Sequence, residues 1–147
     1  MAYGNQNRNG KYNNRGNREQ IHLDPIELDY TKHKKLFGDI AQNWAKQLNN
    51  ESYNAINKST QIRSFYDKVL GLNEKAEGMQ DDEQYKKEVF PFVVMLKSKV
   101  AYVKTRGLVS DTFVKMINQC VEEATTIDKM QNFKYFFEAV IGFYPKK

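Results

Sequence analysis

The chain has 147 residues, a formal charge of +5, a pI near 9.2 and a mean hydropathy of -0.76, with 40% hydrophobic and 13% aromatic residues. That length suits one domain, which buries about 68% of its unfolded surface, and no run reaches the ~18 apolar residues of a membrane span or the apolar stretch of a signal peptide. One cysteine, Cys120, excludes an internal disulfide, and it has no metal-ligand spacing with His22 or His33. These features predict a soluble chain in a reducing cytoplasm, with no membrane partner, metal or other cofactor.

Residues 1–20 mix Asn, Gly, Gln and Arg without apolar periodicity, and hold four basic residues (Arg8, Lys11, Arg15, Arg18) against one acid, Glu19. Such a segment cannot bury enough surface to offset its ordering entropy, which predicts a disordered basic tail ahead of a helical domain over residues 21–147. The tail reads either as an arm making sequence-independent contacts with nucleic acid or as a passive solubilising segment. Asp24-Pro25 followed by Glu27 has the form of a helix start, and Phe37, Ile40, Ala41, Trp44 and Leu48 form the apolar stripe of a first helix ending at Asn49-Asn50.

A second helix is expected from Ser59, as N-cap, through Ile62, Phe65, Tyr66, Val69 and Leu70. Its first turn has no acid, and Lys58 and Arg63 flank it, so the terminus suits a phosphate; a serine cap beside a solvated arginine is the plainer alternative. Residues 71–80 read as a glycine-punctuated linker, capped off by Asp81-Asp82.

Residues 84–106 form the longest periodic stretch. Tyr85, Val89, Phe92, Val93, Leu96, Val100 and Val103 recur at spacings of three and four, which predicts one buried face on a helix kinked at Pro91 and ended by Gly107. Lys97 and Lys104 lie on one shoulder of that face, and Lys99, Tyr102 and Arg106 on the other. The pole opposite the core holds Val94, Ser98, Ala101 and Thr105, small residues that suggest a second contact rather than bulk water. A fourth helix is capped by Ser110, with Val109 placed to staple against Val114, and buries Phe113, Val114, Ile117, Cys120 and Val121. Cys120 therefore reads as structural. A fifth opens at Thr126 or Asp128 and runs through Met130, Phe133, Phe136, Phe137, Val140 and Ile141 before Gly142 and Pro145. The whole is an all-α fold, a compact bundle of about five helices.

Three segments, Ser59-Thr60-Gln61-Ile62-Arg63-Ser64-Phe65-Tyr66, Leu96-Lys97-Ser98-Lys99-Val100-Ala101-Tyr102 with Arg106, and Phe133-Lys134-Tyr135-Phe136-Phe137-Glu138-Ala139-Val140, together resemble the small subunit of type III-A CRISPR interference (Csm) complexes. The likeness covers residues 55–147 and departs from the family at Lys104-Thr105, where an alanine and a glycine commonly precede the arginine. It implies an α-helical, non-catalytic scaffold subunit of an antiviral ribonucleoprotein, stacked in several copies along the guide RNA–target RNA duplex and contacting other subunits of the complex. Arg63, Lys97, Lys99, Tyr102, Arg106 and Lys134 are the basic and aromatic positions it points to, beside Lys58 from the helix start. A helical adaptor whose basic face meets an acidic protein is the competing reading. An enzyme is a third, for which the adjacent acids Asp81, Asp82 and Glu83 look more like a helix N-terminus than a metal site. Removing residues 1–20 is expected to leave helical circular dichroism and Tm unchanged, with those amides unprotected in hydrogen exchange of the whole chain; strong protection would contradict it.

Overall fold

The computed structural model describes residues 21–145; the predicted N-terminal tail therefore lies outside the described residues. Six α-helices, α1 (Ala41–Asn50), α2 (Ser59–Glu77), α3 (Asp82–Glu88), α4 (Phe90–Thr105), α5 (Asp111–Glu123) and α6 (Ile127–Phe143), pack around one core, and a π-helical turn over Leu36–Ile40 leads into α1. The all-helical bundle predicted from periodicity is present, and the only bridge among the described residues joins Tyr53 and Ile56 within a loop. Among the described residues no helix is long and apolar enough to cross a membrane.

The core is aromatic. Phe65 and Phe113 meet edge to face at 5.4 Å, Phe113 and Phe137 at 6.2 Å, and Phe137 also takes Tyr66 at 5.7 Å. These rings come from α2, α5 and α6, so edge-to-face packing, the favoured arrangement for ring quadrupoles, joins α2 to two helices that are distant from it in sequence. Thr126 caps α6 as expected, its hydroxyl accepting the Lys129 N–H at 3.1 Å.

Five expectations need correction. Asp24-Pro25 does not open a helix. Residues 21–35 form an irregular strap, with Ile26 and Leu28 buried, and its backbone is satisfied by side chains. The Ile26 N–H donates to Gln119 Oε1 (2.8 Å) and the Leu28 N–H to Glu123 Oε1 (3.0 Å), while the Leu28 and Asp24 carbonyls accept from Asn132 Nδ2 (3.0 Å) and Trp44 Nε1 (3.1 Å). Those bonds compete with helix and win because they accompany burial of two aliphatic side chains. The N-cap residue of α2 is Lys58 rather than Ser59, whereas Ser110 is the N-cap residue of α5 as expected, with its Oγ accepting from Asn57 rather than from its own helix.

The expected linker over residues 71–80 is largely helix. α2 continues through the exposed Gly71 to Glu77, because Val69, Asn73 and Ala76 extend the buried stripe and tertiary packing outweighs the glycine penalty. The helix read through Pro91 is interrupted rather than merely kinked: Val89, at φ -116°, separates α3 from α4, and Pro91 occupies the first turn of α4 where its missing N–H is tolerated. Phe92, expected in the core, is 54% exposed. It lies off the Val93, Leu96, Val100 line toward α2, where no element covers it.

The end of α4 is as predicted. Gly107, at φ 74°, follows the C-cap Arg106, with Gly107 N–H to Lys104 O (2.9 Å) and Leu108 N–H to Val103 O (3.0 Å), the two bonds of a Schellman motif. At the other end of this unit the buried Tyr85 hydroxyl donates to Ala124 O at 2.6 Å, and burial raises its pKa.

Leu96 is 1% exposed whereas Lys97 is on the shoulder. Leu96→Ala should therefore cost about 2–5 kcal/mol in chemical denaturation, and Lys97→Ala less than about 1 kcal/mol. Equal losses would contradict this packing.

Candidate functional site

α2 and α4 leave a groove between them, and two neighbouring cavities of about 360 Å³ each, with lining residues in common, occupy it. One half is polar and aromatic, formed by Gln61, Ser64, Phe65 and Lys68 of α2 with Ser98, Lys99, Tyr102 and Val103 of α4. The other runs toward Pro91 and is formed by Asp67, Gly71, Leu72 and Lys75 with Phe92, Met95 and Leu96. Lys68 and Lys99 line both halves. Helical periodicity accounts for the walls: Gln61, Ser64, Lys68, Leu72 and Lys75 recur at three and four along one flank of α2, as do Phe92, Met95, Lys99, Tyr102 and Arg106 along one flank of α4.

At the end of the groove Tyr102 is 61% exposed, and Arg106 lies beside it with its guanidinium 5.7 Å from the ring centroid and Nη1 donating to the phenol oxygen at 3.1 Å. The pair is spaced i, i+4 on the last turn of α4, so the ring face and the cation are presented together. Lys68, Lys75 and Lys99 have no ion-pair partner among the described residues, whereas the opposite shoulder is neutralised: Lys97 pairs with Glu122 at 3.2 Å and Lys104 with Asp111 at 3.5 Å.

The sequence-predicted residues thus fall into separate places. Lys99, Tyr102 and Arg106 share the α4 flank of the groove. Lys97 faces Glu122 on α5. Arg63 is exposed on the other flank of α2, in a cavity of about 490 Å³ with Ser59, Thr60, Ile62, Ile141, Gly142, Tyr144 and Pro145. Close by, Tyr66 donates to Glu138 at 3.0 Å, and burial, followed by that bond, raises its pKa. Lys58, at the α2 N-cap, lines an adjoining cavity of about 460 Å³ with Tyr53, which is 73% exposed. Lys134 lies on α6 with its ammonium 4.2 Å from the Tyr135 ring centroid, and Tyr135 packs on Phe37.

Lys68 and Lys75 were not singled out by the sequence. Lys68 lay inside the predicted helix but its flank had no known partner, and the signal for Lys75 was the continuation of the α2 periodicity beyond Leu70, which a glycine at position 71 concealed.

A model of the family described as Csm2 Type III-A matches residues 31–146, most of the chain and both walls of the groove. The chain belongs to the Csm2 Type III-A family. No individual curated protein and no solved structure matches it. Csm2 is a structural subunit of the type III-A CRISPR interference complex, so this Csm2 chain is a member of a multi-subunit assembly.

No group of three or more His, Cys, Asp or Glu side chains among the described residues could hold a metal ion. Cys120 is buried, and burial pushes its thiol well above the usual range. Thiolate is the reactive form, so Cys120 should remain unlabelled by 5,5′-dithiobis(2-nitrobenzoate) in the native protein and react only in denaturant; rapid native labelling would contradict the packing of α5.

Proposed function

We propose that this Csm2 chain is a non-catalytic, RNA-binding scaffold subunit that stacks in several copies along the guide RNA–target RNA duplex. The observation that carries this reading is the α2/α4 groove, where two exposed lysines without ion-pair partners among the described residues, Lys68 and Lys99, line the same half as an exposed tyrosine backed by an arginine. Lysine and arginine neutralise phosphates, and a tyrosine face stacks on a base or ribose, so such a surface binds by charge and shape and leaves sequence discrimination to guide pairing. Guide RNA and the single-stranded target are then its nucleic-acid partners, and the cytoplasm its compartment.

Stacking of copies is supported by the outer pole of α4. Val94, Ser98, Ala101 and Thr105 are all exposed, and the hydroxyls of Ser98 and Thr105 donate back to Met95 O and Ala101 O, each at 3.0 Å. That leaves a smooth surface of low polar demand, suited to close approach. Residues 1–20 would add a basic arm to the same sequence-independent contacts, and Lys58 and Arg63 would meet the strand beyond the groove, at the start of α2.

If Lys68, Lys99 and Arg106 each neutralise one phosphate of a single strand, log affinity should fall against log salt with a slope of about -2. Lys99→Glu with Arg106→Glu should flatten that slope by about 1.4 and weaken all RNA sequences alike, with circular dichroism unchanged. The titration is made on the free subunit and on the reconstituted complex, where copies gain affinity by multivalency. Unchanged binding at every salt concentration would overturn the assignment.

A further inference from the structure

The half of the groove next to Pro91 is chemically unlike the half at Tyr102. Its lips are Phe92 and Met95, 54% and 47% exposed, over a floor that includes Leu72 and Leu96. Phenylalanine and methionine left in water at the edge of a concave surface are the residue types enriched where proteins meet, and methionine adapts to varied apolar anchors. The volume, about 360 Å³, is at the lower end of ligand-sized pockets and gives room for anchoring side chains. Apolar lips supply no donor to a phosphate.

The surrounding charge selects the occupant. Lys68, Lys75 and Lys99 stand around this half with no ion-pair partner among the described residues, against the single acid Asp67. We infer that the Phe92 end of the groove docks an acidic protein segment, with apolar anchor residues, from a different subunit of the Csm complex. This chain's own residues 1–20 are excluded by sign, since they carry four basic residues and one acid. A second copy is the poorer match in overall sign, since the chain carries a formal net charge of +5. The inference rests on membership in the complex; Lys68 and Lys99 border both halves, whereas Phe92, Met95 and Lys75 line this half alone. A segment laid between two helices with apolar anchors and flanking acids is a familiar mode of recognition, with the lysines steering and orienting it.

The test couples lysines to carboxylates directly. The reconstituted complex is treated with a carbodiimide, and peptides joined to Lys75, which lines only this half, are identified by mass spectrometry. The expected partner is an Asp or Glu flanked by apolar residues on another subunit, with at least a tenfold loss of that product when Phe92→Glu and Met95→Glu are combined. RNA affinity of the free chain carrying the uncharged pair Phe92→Ser and Met95→Ser should stay within about twofold of the unsubstituted chain, separating this site from the RNA surface. Both residues are already exposed, and Phe92→Ser with Met95→Ser provides a milder second pair if the glutamates disturb the fold. Coupling of Lys75 to another copy of this chain would overturn the choice of occupant. No coupling, or RNA affinity that falls together with the product, would overturn the site itself.

Discussion

Asn57, 1% exposed and in the left-handed region at φ 59°, hydrogen-bonds to three parts of the chain through both its side chain and its backbone. Its Nδ2 donates to Leu48 O at 3.1 Å and Ser110 Oγ at 2.9 Å, and its Oδ1 accepts the Ser110 N–H at 3.0 Å. Its backbone N–H donates to Leu108 O at 3.0 Å, and its carbonyl accepts from the Tyr144 hydroxyl. The end of α1, the turn between α4 and α5, and the segment after α6 therefore converge on the residue just before the N-cap of α2. Asparagine suits the position because its short amide tolerates positive φ and supplies two donors and an acceptor where water is absent. The constraint fixes where α2 starts relative to where α4 ends, and hence the width of the groove between them.

The charge distribution follows from the same packing. α5 closes over one shoulder of α4 and brings Glu122 and Asp111 to Lys97 and Lys104, while the flank facing α2 receives no acid from α5. The unpaired cations thus collect on the side that stays open, where low-dielectric walls strengthen their field. At one end an aromatic ring and a guanidinium accompany them, and at the other an apolar pair, so a single groove between two helices offers two different chemistries.

Periodicity made most of the bundle legible. The spacing of Val93, Leu96 and Val100, of Phe113, Ile117 and Cys120, and of Phe133, Phe136, Phe137 and Val140 placed each on its buried face. What local rules missed were features decided by distant partners. Asp24-Pro25-Glu27 has the composition of a helix start, yet the strap it belongs to is held by Gln119, Glu123 and Asn132, nearly a hundred residues away. Gly71 reads as punctuation, yet the buried Asn73 and Ala76 carry the helix past it. The α4 flank of the candidate site was visible because Lys99, Tyr102 and Arg106 share one periodic face. Its α2 wall was not, since which flank of one helix meets which flank of another is a tertiary fact, and so Lys97 could not be distinguished in advance from Lys99.

Ultraviolet crosslinking of the assembled complex, with mass spectrometry of the peptide–nucleotide products from this subunit, bears most directly on the role of the α2/α4 groove. If the groove holds RNA, nucleotide adducts concentrate on the α4 peptide containing Tyr102, with a second set on the α2 peptide around Ser64 and Phe65. Adducts confined to α6 and the strap over residues 21–35, with none on α4, would contradict it.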